Sequence, residues 1–122
     1  MYGFAPDLEI EGLISSELEQ ICIGKFDVQF HFGSGTFIAV QGRVKILNNG
    51  DQIARWTEEQ SWDTPAFHEL LNQAVKGYSV ASRDVLRIDF DNGLTLELID
   101  SSDQYESVQI YPNGKSGPII VV

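Results

Sequence analysis

The sequence is poor in cysteine, in basic residues and in long apolar runs. It contains one cysteine, Cys22, and a lone cysteine cannot form an internal disulfide, which fits a reducing compartment. We interpret Cys22 as a packing residue. No apolar run is long enough to span a bilayer, and residues 1–7 show no basic region leading into an apolar stretch. We therefore expect a cytoplasmic protein with no membrane partner.

Lysine and arginine are outnumbered by acidic residues, 8 against 18, which gives a formal net charge of −10. Because no basic stripe is present along which phosphates could lie, we expect no nucleic acid ligand. Each side of Ser61 holds 9 acids and 4 bases, so the charge belongs to the whole chain. Such a surface favours solubility or, alternatively, attracts a basic protein partner.

Residues that could carry chemistry are few and scattered. His31, His68 and Cys22 show no spacing typical of a metal site or of a nucleophile with its base. The run 89–93 lacks the distal glutamate of a calcium loop, and the run 33–35 lacks the third glycine and the helix of a phosphate loop. We predict no catalytic residue, no metal and no cofactor, and we lean against an enzyme.

Three blocks of the first half recur in the second half in the same order. The offsets are 57 for the block 13–23 over 70–80, 58 for 28–35 over 86–93, and 64 for 44–50 over 108–114. Three ordered matches with short insertions between them indicate an internal duplication. We predict a single domain, 1–122, made of two duplicated units at about 8–57 and 64–122.

Apolar residues alternate with polar ones in both units, as expected for strands with one buried face. The loop 91–93 sets a register that pairs Ile88 with Leu96 and Arg87 with Glu97, with Gly93 left-handed. In the first unit the matching outer pair is His31 with Phe37. Further hairpins are predicted to turn at 49–50 and near 113–114, because Asn-Gly is a strong turn signal.

One segment follows a helical spacing instead. Residues 64–75 place Pro65 near the start and Phe67, Leu70, Leu71 and Ala74 on one face, which predicts an amphipathic helix. Its counterpart at about 12–18 should form at most a short helical turn. The predicted fold is therefore mainly β (α+β): two pseudo-symmetric antiparallel meander units, packed as a sandwich or roll, with one main helix.

Two segments depart from the duplicated pattern and are our candidate binding sites. The loop 100–106 is six residues longer than its counterpart, since 64 − 58 = 6, and the linker 56–62 carries a tryptophan at each end. Insertions in a repeated framework and exposed tryptophans are both common in binding sites, although a solvated loop and core tryptophans are the alternative. The candidate residues are Trp56, Trp62, Asp100, Asp103, Tyr105 and Glu106.

Several tracts resemble a family of small bacterial domains of unknown function, some of them similar to the immunity proteins found beside toxin genes. The tracts are 19–24 leading to 28–32, 91–93 through 103–107, and the closing 117–121. The resemblance implies a bacterial cytoplasmic protein that binds a partner, and it supplies no catalytic residues.

Three functions follow as hypotheses. The first is a non-catalytic protein-interaction domain, with an immunity-like role as one form of it, whose acidic surface covers a basic partner. The second is small-molecule binding or hydrolysis in a cleft between the two units. The third is a structural homodimer that covers exposed strand edges, particularly that of residues 118–122.

Overall fold

A computed structural model describes residues 4–57, 65–100, 107–112 and 120–121, of which residues 65, 66, 120 and 121 are described by backbone only. The described residues form ten strands and one short 3₁₀ helix at Pro65–Leu70. The strands are β1 Leu18–Ile23, β2 Val28–Phe32, β3 Phe37–Val40, β4 Arg43–Asn48, β5 Asp51–Thr57, β6 Val75–Ser82, β7 Val85–Phe90, β8 Leu94–Ile99, β9 Val108–Tyr111 and β10 Ile120–Val121.

The strands form two antiparallel five-stranded sheets. The first sheet has the order β1-β2-β3-β9-β10 and the second the order β6-β7-β8-β4-β5. The first sheet therefore combines three strands from the first half of the chain with two from the second half, and the second sheet does the reverse. Neither sheet belongs to one half of the chain alone.

Corresponding strands of the two sheets are paired in the same register. Phe30 pairs with Ile38 and Ile38 with Ile110 in the first sheet. The matching positions of the second sheet, Ile88, Leu96 and Ile46, pair in the same way. The offsets are those of the sequence blocks, because 88 − 30 = 58, 96 − 38 = 58 and 110 − 46 = 64. The β2–β3 and β7–β8 hairpins thus lie in equivalent surroundings.

Reciprocal hydrogen bonds join the two halves where β1 and β6 begin. The Ser15 amide donates to the Val75 carbonyl at 2.8 Å, and the Asn72 amide donates to the Leu18 carbonyl at 2.7 Å. The second bond repeats the first with the two halves of the chain exchanged, since 15 + 57 = 72 and 75 − 57 = 18. Ser15 and Asn72 also share left-handed φ values of 72° and 67°, and an isolated bridge between Glu17 and Ala74 lies between the two bonds.

The inward side chains of both sheets form one continuous hydrophobic cluster. The alternation predicted for β2, β7 and β8 is present as a strict alternation of buried and half-buried residues. Fully buried members from the two sheets include Phe30, Ile38, Ile88 and Leu96. Burial of these side chains from both sheets in one cluster is the main stabilising contribution that the fold offers.

The turns and pairs that fix the register are confirmed. Gly93 has a φ of 89°, and Asn49 and Gly50 have φ values of 53° and 88°, as tight hairpins require. Ile88 pairs with Leu96, and the predicted pair of His31 with Phe37 is formed. The predicted turn at 113–114 lies outside the described residues.

The predicted main helix at 64–75 is wrong. The described part of that segment is a six-residue 3₁₀ helix, which ends before Asn72 turns left-handed, and Val75 already belongs to β6. Cross-half pairing of residues 72–75 with residues 15–18 competes with helix formation and replaces it. The apolar spacing still holds in part, because Phe67 and Leu70 are buried. Residues 12–18 form turns and the start of β1 without a helix.

Candidate functional site

The predicted site residues that the structure describes point into the protein. Trp56 is 1% exposed and Asp100 is 6% exposed. Trp56 pairs with Val44, which pairs with Leu98 on its other side, so the indole is part of the core of the second sheet. Trp62, Asp103, Tyr105 and Glu106 lie outside the described residues.

Asp100 is buried and forms hydrogen bonds within the protein. Its carboxylate accepts a hydrogen bond of 2.5 Å from the Ser107 hydroxyl, and its amide donates to the Asp84 carbonyl at 2.8 Å. These bonds tie the end of β8 to the start of β9 and to the β6–β7 turn. A buried carboxylate held in this way fixes the chain where it crosses between the sheets.

The equivalent registers allow the outer faces of the two sheets to be compared position by position. Their inward residues are apolar in both sheets, whereas their outward residues differ in kind. The outward positions of β7, β8 and β4 that have counterparts within β2, β3 and β9 form what we call the charged face: Arg87, Asp89, Thr95, Glu97, Lys45 and Leu47. The equivalent positions on β2, β3 and β9 hold what we call the uncharged face: Gln29, His31, Phe37, Ala39, Gln109 and Tyr111.

Four residues of the charged face are hydrogen-bonded to one another in pairs. Arg87 donates to the Glu97 carboxylate from Nε at 3.1 Å and from Nη2 at 2.8 Å. The Thr95 hydroxyl donates to the Asp89 carboxylate at 2.7 Å. Such cross-strand pairs are typical of a solvated sheet surface.

The uncharged face stands out in a protein of net charge −10. Among the strands of the first sheet, one Asp, Glu, Lys or Arg is present, Glu19 on β1. The strands of the second sheet carry eight such residues. Centres of protein interfaces are depleted of charge and enriched in aromatic residues, and the first sheet has this composition.

An aromatic ridge crosses the uncharged face. The rings of His31 and Phe37 stack at 4.9 Å between centroids, and those of Phe37 and Tyr111 stack at 4.2 Å. Both sides of the Phe37 ring are therefore covered by neighbouring rings. The Phe37 ring thus has no open face on which a sugar could stack.

An amide row of Gln29, Ala39 and Gln109 lies beside the aromatic ridge, two residues along each strand. The small side chain of Ala39 leaves a depression of about 130 Å³ between the two glutamines, with Phe37 and Tyr111 also in its lining. This volume is below the roughly 300 Å³ at which small-molecule pockets begin. The depression matches one inserted side chain better than a substrate.

The glutamines of the amide row are oriented by their neighbours. Tyr111 donates from Oη to Gln109 Oε1 at 2.6 Å, and Gln29 donates from Nε2 to Asp27 Oδ2 at 3.3 Å. The His31 ring nitrogen Nε2 lies 3.0 Å from Gln29 Oε1. Both amides are thus held in place before any partner binds, which lowers the entropic cost of binding.

Sequence reasoning missed this face because it looked for departures in loops. The predicted pair of His31 with Phe37 is confirmed, but its polar counterpart on the second sheet is the pair of Asp89 with Thr95. The signal was available once the strands were aligned at an offset of 58: the inward residues match in character and the outward ones do not.

The described residues include a free thiol but no metal-binding cluster and no membrane-spanning helix. No group of three or more His, Cys, Asp or Glu that could hold a metal occurs among them, and none of the helical residues described forms a helix with the length and hydropathy of a membrane span. Cys22 is a free, half-buried thiol.

The ion pair of Arg87 with Glu97 on the charged face is expected to contribute little to the free energy of unfolding. Replacing Arg87→Gln together with Glu97→Ala should lower the free energy of unfolding by less than about 1 kcal/mol, because the Arg87 side chain is 42% exposed and its ion pair is screened by solvent. Urea denaturation measures the change. A loss above about 3 kcal/mol, the range of a broken buried pair, would contradict this prediction.

Searches of protein-family models, of curated proteins and of solved structures found no match to this chain.

Proposed function

We propose that this protein is a non-catalytic protein-interaction domain that binds its partner through the uncharged face of the first sheet. The observation that carries the proposal is the contrast between equivalent outward positions: four of six are charged on the second sheet, whereas none is Asp, Glu, Lys or Arg on the first, where aromatic and amide side chains take their place. Because the two sheets share strand order and register, the fold alone does not explain the difference. We attribute the difference to the binding of a partner by the first sheet.

The duplicated architecture is part of the proposal. We take the chain as a single domain of two pseudo-symmetric units, at about 8–57 and 64–122, which exchange their second hairpins and pack as a sandwich. The recurrence of the offsets 57, 58 and 64 in strand register supports this. On this proposal the two outer faces were alike in the ancestral unit and diverged after duplication. A bacterial cytoplasmic protein with an immunity-like role is one form that the proposed function can take.

Small-molecule chemistry between the units is a weaker candidate. A cavity of about 370 Å³ does lie between residues of the two units, Glu19, Gln20, Ile21 and Ile23 of the first and Phe67, His68 and Leu71 of the second. Its lining holds two titratable side chains, Glu19 and His68, whereas the inward residues of both sheets form one apolar cluster. A basic protein partner stays a prediction from the net charge of −10.

Exchanging residues between the two faces tests the proposal. Gln29→Arg with Ala39→Glu transplants the Arg87–Glu97 pair to the equivalent positions of the first sheet, since 29 + 58 = 87 and 39 + 58 = 97. The fold accommodates this pair on the second sheet, so the variant should fold. Its uncharged face, however, now carries two charges and a filled depression, and we expect at least about tenfold weaker partner binding.

The matched control is the reverse exchange, Arg87→Gln with Glu97→Ala. Immobilised wild-type protein and both double variants are used to capture proteins from a lysate of the source organism, and the captured protein is then purified and titrated calorimetrically against all three. Binding by the wild type and the control, with loss in the transplanted variant, supports the proposal. Equal binding by all three, or loss only in the control, would refute it.

A further inference from the structure

The charge and the shape of the uncharged face indicate which kind of partner it binds. Each copy of the chain carries a net charge of −10, so two copies repel one another and can meet stably only where the surface bears little charge. The uncharged face is such a region: its outward residues on β2, β3 and β9 include no Asp, Glu, Lys or Arg. The one carboxylate in the lining of the depression, Asp27, accepts a hydrogen bond from Gln29 Nε2.

The side chains on this face are also suited to contact the same face of a second copy. In a twofold dimer the same patch of both subunits forms the contact. A glutamine amide both donates and accepts hydrogen bonds, so Gln29 and Gln109 can face a second copy without a mismatch. The edges of aromatic rings pack against apolar and amide groups alike.

The shape of the face is self-complementary in one orientation. The aromatic ridge and the amide row run parallel across three strands and lie two residues apart along each strand, roughly 7 Å. A twofold axis that lies between them, parallel to both and in the plane of the contact, places the ridge of one copy over the amide row of the other. Under this operation each strand meets its own counterpart.

We propose that the uncharged face binds a second copy of this chain, with Phe37 of each copy inserted into the depression above Ala39 of the other. In the same arrangement His31 lies over the second copy's Gln29 and Tyr111 lies over its Gln109. This inference rests on the proposed function and names the partner of the same face. It differs from dimerisation through strand edges, because the outer side chains and not the backbone form the contact.

Sedimentation velocity at increasing concentration tests for the dimer. We expect a concentration-dependent dimer that becomes tighter when salt is raised from about 10 mM to about 150 mM, because screening weakens the repulsion between two acidic bodies. Binding to a basic partner would weaken under the same change. The Gln29→Arg, Ala39→Glu variant should dimerise at least about tenfold more weakly, and the Arg87→Gln, Glu97→Ala control should match the wild type.

An isotope-filtered NOE experiment on a mixture of labelled and unlabelled chains tests the orientation. We expect a cross-peak between the Phe37 ring of one chain and the Ala39 methyl of the other. Ala39→Leu, which fills the depression without adding charge, should remove the dimer in sedimentation velocity together with all intermolecular cross-peaks to the Phe37 ring. A chain that stays monomeric at its highest soluble concentration, or a dimer that perturbs Lys45 and Arg87 instead, would overturn the inference. Loss of a different protein partner in the transplanted variant would still support the proposed function.

Discussion

The two halves of the chain, expressed separately as residues 1–60 and 61–122, are expected to remain unfolded alone and to fold when mixed. Each sheet takes three strands from one half and two from the other. A separate half would therefore leave β3 or β8 without its neighbour and expose inward residues such as Ile38 or Leu96, which are 0% exposed in the whole chain. Sheet edges and apolar faces left open in this way do not support a stable fold.

Near-ultraviolet circular dichroism of each fragment and of their equimolar mixture measures this. The mixture should regain the spectrum of the intact chain, and the fragments should each lack it. The control is the intact chain cleaved between residues 60 and 61 after folding, which should stay associated. Independent folding of either half would show that the units are self-sufficient and that hairpin exchange is not essential.

Replacement of Trp56→Ala is expected to lower the free energy of unfolding by about 3–5 kcal/mol, the range for a large aromatic side chain removed from a core. The Trp56 side chain is 1% exposed and lies in an inward row with Val44 and Leu98. Since whole domains are stable by only about 5–15 kcal/mol, this single change removes a large part of the total. Urea denaturation gives the value.

Ile53→Ala on the same strand is the matched control, because Ile53 is 37% exposed. It should cost less than about 1 kcal/mol. If Trp56 were a binding residue, as its place in the linker first suggested, Trp56→Ala would reduce partner binding while leaving stability near that of the wild type. That pattern would contradict the assignment of Trp56 to the core.

The sequence predicted the strands well because their signal is local. Alternation in 86–90 and 94–98, with a glycine at the turn, is sufficient to fix a hairpin and its register, and Arg87 facing Glu97 follows from that register. The helix failed for the opposite reason. Residues 72–75 bond to residues 15–18, more than 50 positions away, and no window of sequence contains both partners.

The exchange of hairpins between the sheets was equally beyond local reasoning. The match of 44–50 to 108–114 predicted that the two segments are alike, but not that β4 pairs with β8 and β9 with β3. A pairing of β4 with β3 would satisfy the same alternation. The choice depends on how both cores close together, which is a property of the whole chain.

The candidate site could be predicted only after the strands were placed. The segments 100–106 and 56–62 depart from the repeated sequence pattern and were predicted to bind a ligand, yet Trp56 and Asp100 are buried. The outward residues of a strand have no local signature of function, because a solvated face and a binding face both alternate with a core. Comparison of Ala39 with Glu97, and of Gln109 with Lys45, separates the two cases.

The strand order also has a consequence for synthesis on the ribosome. Strands β4 to β8 are consecutive and make up the second sheet, so all its strand pairs can form as soon as β8 has emerged. Strands β1 to β3 are made earlier, but β3 gains its second neighbour only when β9 follows. In that interval the nascent chain carries an unpaired strand edge of the kind through which growing polypeptides aggregate. The part of the molecule synthesised first is therefore among the last to be completed.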